Sequence, residues 1–240
     1  SGVARHGLTG IEVIAELSCN HLGSLDRAHA LVDAAAKAGA NTIKIQTDPP
    51  DGGLTLDSDL PDFVIHGGPW DGRRMADLYR ETYTPWEWIP DLMAHARSLG
   101  MDCFSAPGSV EAVAYLETCG VSRYKVGSFD ITDVELLKAI AATGKPVMVS
   151  TGCAEPSDLV RVVDMLSDRL MLLHCVSEYP TLAYNAELWR IRSLAEEYRV
   201  PVGLSDHGGS GGVVMMAIAC GAVAIEKHLM LSKSDGGPDA

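Results

Sequence analysis

Short apolar runs alternate along the chain with longer stretches in which apolar residues recur every three or four positions. Runs of strand length occur at residues 11–17, 41–47, 102–107, 123–128, 146–151, 170–176, 201–206 and 222–229. Helical periodicity between them predicts helices at 25–38, 86–99, 109–119, 132–143, 156–168, 186–198 and 211–220. Glycines such as Gly39 and Gly120 directly follow several of these stretches, as expected for left-handed helix C-caps. The pattern therefore predicts strands and helices in strict alternation.

Eight strands alternating with helices favour an α/β fold of the (β/α)8 TIM-barrel type over an open sheet. We expect residues 1–10 to form an N-terminal extension and residues 11–240 to form one barrel domain. Since the eighth strand-like run ends at residue 229 of 240, we expect the helix that normally follows the last strand to be absent.

The segment 48–84 is far longer than the usual βα loop of about 2–6 residues. Its later part carries glycine next to tryptophan and tyrosine, in Gly67-Gly68-Pro69-Trp70-Asp71 and again at 83–88. Two interpretations stay open at this point. The segment is either a lid or binding loop over a site, or a surface excursion that packs on its own aromatic residues.

Composition limits the partners. Apolar residues make up 47% of the chain, but no run reaches the roughly 18 apolar residues of a membrane helix. The net charge of −13 argues against nucleic acid or an anionic membrane as a partner. The six cysteines are scattered without a Cys-x-x-Cys pair, which predicts small buried residues in a reducing cytoplasm. No pattern singles out a base for any of them, so we expect no cysteine nucleophile.

Polar side chains end the predicted strands, and in a TIM barrel the active site lies at that end. Residues two apart in a strand share a face, so a pair such as Glu226 and His228 points the same way. The polar strand-end residues are Glu16, Lys44, Gln46, Ser105, Lys125, Ser128, Asp130, Ser150, Thr151, His174, Ser177, Ser205, His207, Glu226 and His228.

Two of these histidines stand out. His207 and His228 end the last two strands beside acidic groups, and neighbouring strands lie about 4.8 Å apart. Both imidazoles could therefore bind one metal ion. His95 and His174 lack this context, and we interpret them as hydrogen-bonded core residues.

Two lysines in apolar surroundings indicate that a negatively charged group lies next to them. Burying Lys44, which lies between two isoleucines, costs several kcal/mol unless a negative group meets its ammonium. That group is either a core carboxylate such as Glu16 or an anionic ligand, and the same alternatives hold for Lys125. A phosphate or carboxylate ligand would also meet strand-end hydroxyls, those of Ser128, Ser150 and Ser205.

Six segments, in order, resemble motifs of the sialic acid synthases. They are 16–23 (ELSCNHLG), 43–47 (IKIQT), 124–128 (YKVGS), 149–152 (VSTG), 203–207 (GLSDH) and 225–228 (IEKH). The resemblance spans residues 11–239, and segment 48–84 most resembles the corresponding loop of the pseudaminic acid synthases. It implies a TIM-barrel enzyme that condenses phosphoenolpyruvate with an amino-sugar aldehyde to a nonulosonic acid and phosphate.

The resemblance also implies roles for individual residues. His207 and His228 would bind a divalent metal ion, typically Mn²⁺, and act in catalysis together with the acidic residues Glu16 and Asp130. Asp130 stands where the family usually has glutamate, and Ser177 where sialic acid synthases have asparagine. Gln46 and Tyr179 would contact the sugar. The full implied set of substrate-binding residues is Lys44, Gln46, Lys125, Ser128, Ser150, Ser177, Tyr179 and Ser205.

The resemblance implies a homodimer in which a C-terminal antifreeze-like domain supplies an arginine to the partner's sugar site, and we expect no counterpart of that domain within residues 1–240. A homodimer is nevertheless expected. Two alternatives stay open: the same condensation on a different sugar or a nucleoside aldehyde, and a non-catalytic ligand-binding barrel. The presence of both lysines and both histidines argues against the second alternative.

Overall fold

The fold is a closed barrel of eight parallel strands in chain order, seen in a computed structural model that describes residues 10–50, 63–67 and 70–236. The strands are β1 Glu12–Glu16, β2 Thr42–Thr47, β3 Asp102–Pro107, β4 Tyr124–Val126, β5 Val147–Ser150, β6 Leu170–His174, β7 Val202–Asp206 and β8 Ala224–His228. Strand β1 pairs with both β2 and β8, which closes the barrel. The predicted (β/α)8 TIM barrel is confirmed.

The helices pack around this barrel. They are α1 Leu25–Ala38, α2 Met75–Thr82, α3 Ile89–Ser98, α4 Val110–Cys119, α5 Val134–Ala142, α6 Pro156–Leu166, α7 Trp189–Tyr198 and α8 Gly211–Ala219. All predicted helices are present, and α1 ends as expected at Gly39, whose φ of 87° is left-handed. Beyond β8 the described residues reach 236 and contain a short 3-10 turn at Lys233–Asp235.

Helix α2 lies within the segment 48–84, where the sequence pattern predicted no helix. Ala76 is its only buried residue, so it lacks the wide apolar stripe by which sequence patterns reveal a helix. Local charge pairs support it instead: Arg74 Nε lies 2.7 Å from Asp77 Oδ2, and Arg80 Nη1 lies 3.1 Å from Asp77 Oδ1. Residues 51–62 and 68–69 of the segment, and the termini 1–9 and 237–240, lie outside the described residues.

A polar cluster closes the barrel at the amino ends of the strands. The guanidinium of Arg123 donates to Glu12 at 3.0 Å and to Thr42 at 3.1 Å. It also lies 4.5 Å from the centre of the Phe104 ring. The end of the barrel opposite the strand carboxyl ends is therefore filled by paired side chains.

The structure agrees with the interpretation of His174 as a core residue, but it places His95 and one cysteine at the surface. His174 is buried and its Nε2 lies 2.9 Å from the Ala186 carbonyl oxygen, as predicted for a core histidine. His95 is hydrogen-bonded, but to Asp33 on the surface between α1 and α3 and not in the core. All six cysteines are free, and Cys153 is exposed.

In the part of the chain that the structure describes, no helix is both long and apolar enough to cross a membrane.

Candidate active site

A cavity of about 300 Å³ lies at the carboxyl ends of the strands. The strand ends line its floor, and the segment 48–84 adds one wall through residues such as Trp70 and Tyr79. This wall favours the interpretation of the segment as a binding loop. Of the twelve residues that the sequence analysis assigned to the site, all but Glu16 and Ser177 line the cavity.

Glu16 lies beneath the cavity floor. It is fully buried, its Oε1 accepts the Ser18 backbone N–H at 2.7 Å, and its Oε2 forms an ion pair with Lys44 Nζ. The expectation that Glu16 faces the reacting centre does not match this position, because the side chain of Lys44 covers it. Ser177 also lies off the cavity, with its Oγ 3.6 Å from Cys153 Sγ.

The cavity floor is an ionic cluster that crosses the barrel interior. Glu226 Oε1 lies 3.2 Å from Lys125 Nζ and 3.4 Å from Lys44 Nζ, and it accepts a hydrogen bond from Ser205 Oγ at 3.0 Å. Glu226 is 2% exposed, Lys125 3% and Lys44 5%. The core-carboxylate alternative considered for Lys44 thus holds in this structure, while both ammonium groups still border the cavity.

These charges stabilise one another against burial. Burial alone would raise the pKa of Glu226, but the positive charges of Lys125 and Lys44 lower that pKa to about 2. Burial lowers the pKa of Lys44 to about 8, and the Glu226 carboxylate opposes the shift. At neutral pH the floor therefore holds an ionised carboxylate between two cationic side chains.

The two histidines lie side by side at the cavity rim. Their ring centres are 5.5 Å apart and the rings are perpendicular. His207 Nδ1 lies 2.9 Å from the Val176 carbonyl oxygen, so Nδ1–H donates there and Nε2 carries the lone pair. Tyr179 stacks on His207 at 4.2 Å, with its hydroxyl 3.2 Å from Nε2. Burial lowers the pKa of His207 to about 4, so the ring is neutral at pH 7.

These features fit a divalent metal ion. A neutral imidazole whose other nitrogen binds a backbone carbonyl is the usual form of a metal-ligating histidine. Close to His228, Glu226 Oε2 is buried without a hydrogen-bond partner among the described residues. The described residues contain no group of three or more His, Cys, Asp or Glu side chains arranged to hold a metal. The protein would therefore supply two imidazoles and leave most of the coordination sphere open.

Two carboxyl groups face the cavity from the side of the long segment. Asp130 Oδ2 lies so close to Gly127 that a Cβ there would be 2.6 Å away, and burial raises the pKa of Asp130. Asp48 was not predicted. Burial and then the charge of Asp130 raise its pKa to about 7. Continuing the alternation of Lys44 and Gln46 by one step past the predicted strand end would have identified it.

The motif at 16–23 has a structural role that the sequence did not reveal. His21 is buried, its Nδ1 accepts the Gly23 N–H at 3.1 Å, and its Nε2 lies 3.2 Å from Thr84 Oγ1. Asn20 Nδ2 donates to the Leu229 carbonyl oxygen at 2.9 Å. The loop after β1 therefore holds the end of the long segment and the chain after β8 against the barrel.

Comparison with known proteins identifies the family. The model of the NeuB family matches residues 31–240. A pseudaminic acid synthase of Campylobacter jejuni is 43% identical over 232 residues, which cover 95% of this chain and 67% of that protein. A pseudaminic acid synthase of Helicobacter pylori is 36% identical, with 95% and 68% covered. The chain thus spans about two thirds of the length of these relatives.

A solved structure of a related protein has the same fold. The crystal structure of an N-acetylneuraminic acid synthetase from Leptospira borgpetersenii in complex with citrate matches with a TM-score of 0.84 and 29% identity. The match covers 95% of this chain and 76% of that chain. The resemblance to the sialic acid synthases is confirmed by these matches. The chain belongs to the NeuB family.

Proposed function

We propose that this protein condenses phosphoenolpyruvate with an amino-sugar aldehyde to give a nonulosonic acid and phosphate. The observation that carries the proposal is the pair of buried lysines in one cavity with two histidines, of which His207 is neutral at pH 7. The relatives are named as synthases of pseudaminic and sialic acids, and the 43% identity to one of them favours a pseudaminic-type acid. Membership of a family with such relatives makes this chain an enzyme that forms a carbon–carbon bond.

The lysines suit the anionic substrate. A chain with a net charge of −13 can hold a phosphate and a carboxylate only where positive charge is concentrated. Each ammonium has three N–H donors, and the contact of Lys125 with Glu226 leaves donors for a ligand. The hydroxyls of Ser128, Ser150 and Ser205 border the same cavity. Held in this way, the enol carbon would lie ready to attack the acceptor aldehyde.

His207 and His228 would hold the divalent ion, for which we propose Mn²⁺, and when bound it supplies Lewis-acid polarisation of the aldehyde oxygen. The Val176 carbonyl fixes the ring orientation of His207. Tyr179, stacked on His207, and Gln46 border the cavity where the sugar would lie.

Asp130 is the candidate base for the second half of the reaction. As the new carbon–carbon bond forms, C2 of the former enol becomes electron-poor and takes up water. The Asp130 carboxylate would accept a proton from that water, and phosphate would then leave from C2 to give the keto group. Asp130 lines the cavity, where burial raises its pKa and the nearby Lys125 ammonium opposes that shift, whereas Glu16 does not line the cavity.

Phosphate release tests the proposal. The protein would be incubated with phosphoenolpyruvate, Mn²⁺ and a panel of amino sugars, neutral aldoses and nucleoside aldehydes. We expect release that needs both the metal and an amino sugar. Release only with a neutral aldose or nucleoside aldehyde would overturn the acceptor assignment. Binding of phosphoenolpyruvate without any release would indicate the non-catalytic barrel instead.

Two further parts of the proposal concern assembly and location. The family resemblance leads us to propose a homodimer, which sedimentation of the full protein would test. Six free cysteines support a reducing compartment such as the cytoplasm. Labelling with a thiol reagent before and after reduction would show whether the cysteines stay free in cells.

A further inference from the structure

The carboxyl group of Asp48 faces the cavity at the start of the long segment. Asp48 directly follows β2 and lines the cavity with Lys44 and Gln46, as the alternation of a strand requires. Among the described residues, no side chain or backbone group forms a hydrogen bond or ion pair with its carboxyl oxygens. An unpaired polar group at a binding surface is costly unless water or a ligand satisfies it.

The surrounding backbone fixes this carboxyl in place. The Asp48 carbonyl accepts the Trp86 Nε1–H at 2.8 Å, and the Gly108 N–H donates to the Thr47 carbonyl at 3.1 Å. A Cβ on Gly108 would lie 2.4 Å from Asp48 Oδ1 and 3.3 Å from its Cα. The side chain of Asp48 can therefore occupy its position only because residue 108 is a glycine.

The charges around Asp48 select the kind of ligand. Burial and then the charge of Asp130 raise the pKa of Asp48, and this negative charge disfavours an anionic ligand group at the wall. Lys44 lies close enough to lower that pKa, which disfavours a second cation. The ligand group that these charges favour next to Asp48 is therefore a neutral one that donates a hydrogen bond. Hydroxyl and amide N–H groups of an amino sugar have this property, and the phosphate-binding lysines lie on the floor.

The same wall offers a complementary donor. Trp70 Nε1 is buried without a hydrogen-bond acceptor among the described residues, and Trp70 lines the cavity. Tyr79 also lines it, and burial followed by the nearby charge of Asp48 raises the pKa of the Tyr79 hydroxyl. The wall thus combines an acceptor with N–H and O–H donors, which suits a substituent that both donates and accepts, such as an acylamino group.

We propose that Asp48 is a specificity-determining residue of the acceptor site, where its carboxyl accepts a hydrogen bond from an N–H or O–H group of the amino sugar. This inference rests on the proposed function. It assigns the acceptor to the wall lined by Asp48, Trp70 and Tyr79, and the phosphoenolpyruvate to the lysine floor.

Steady-state kinetics of variants tests the assignment. In Asp48→Ala we expect the KM for the amino sugar to rise about tenfold or more, with the KM for phosphoenolpyruvate changed less than about twofold. Asp48→Asn keeps an acceptor oxygen and should fall between wild type and Asp48→Ala. Gly108→Ala leaves the carboxyl intact but displaces it, so it should raise the sugar KM as well. The surface substitution Asp91→Ala is the matched control.

The outcomes separate the two proposals. An unchanged sugar KM in Asp48→Ala, or equal increases in both KM values, overturns the role of Asp48 while the proposed function stands. A wild-type protein that releases no phosphate with any amino sugar overturns the proposed function and this inference with it. Far-UV circular dichroism checks that each variant is folded. If Asp48→Ala does not fold, the sugar KM of the near-isosteric Asp48→Asn decides whether Asp48 contacts the sugar.

Discussion

Protonation of His21 should weaken the folded state in mildly acidic solution. The imidazole is 1% exposed, and both of its nitrogens are engaged, Nδ1 as acceptor of the Gly23 N–H and Nε2 as donor to Thr84 Oγ1. The edge of the ring also contacts Trp88, with 5.5 Å between ring centres. A proton on Nδ1 would meet the Gly23 N–H in a dry environment. Burial accordingly lowers the pKa of His21 to about 4.

The size of the effect follows from linkage. The unfolded chain binds this proton with the ordinary pKa of 6.5, and the folded chain with about 4, so folding expels the proton between these values. The full stability is present above pH 6.5 and falls as the pH drops towards 4. Each pH unit in that range costs about 1.4 kcal/mol, which gives about 2 kcal/mol at pH 5.

Urea unfolding of wild type and His21→Gln at pH 7 and pH 5 measures this cost. Glutamine retains a donor and an acceptor but does not titrate in this range. The wild-type free energy of unfolding should fall by about 2 kcal/mol more than that of the variant between the two pH values. The surface variant His95→Gln controls for the loss of an imidazole and should follow wild type. The same pH dependence in wild type and His21→Gln would refute the reasoning.

Three substitutions test other parts of the molecule. Lys125→Ala should raise the KM for phosphoenolpyruvate more than about tenfold and leave the sugar KM nearly unchanged, with the exposed Lys138→Ala as control; equal increases would contradict its assignment. His207→Ala should abolish metal-dependent phosphate release and Mn²⁺ binding by calorimetry, with little change in the melting temperature, whereas retained Mn²⁺ binding would refute its role. Arg123→Met should lower the free energy of urea unfolding by about 2 kcal/mol, because its ion pair with Glu12 is only partly buried, without changing kcat/KM.

The barrel could be predicted from sequence because its core strands are nearly continuous apolar runs separated by amphipathic helices. Helix α2 could not be predicted from sequence, because its stability depends on charge pairs and on packing at one small residue, Ala76. The strand-end rule likewise located most of the site, because the carboxyl ends of all strands meet at one end of the barrel.

The contacts across the barrel interior could not be predicted. Glu226 on β8 lies between Lys44 on β2 and Lys125 on β4, and a list of strand ends contains no information on such pairings. The ion pair of Glu16 with Lys44 was one of two alternatives that the sequence left open, and the sequence could not show that only Lys44 lines the cavity. Side-chain depth along a shared face thus depends on tertiary packing.

The floor and the wall of the cavity differ in how their residues are distributed along the sequence. The floor is assembled from residues far apart in sequence and held by the register of the strands. The described residues of the wall, among them Trp70 and Tyr79, lie between β2 and α3 in the sequence, and the contact of Thr84 with His21 holds the end of this stretch. If the acceptor binds at this wall as proposed, replacement of a single stretch would change the acceptor preference and leave the residues of the floor in place. Exchange of this stretch between relatives with different sugars is a direct route to chimeric synthases.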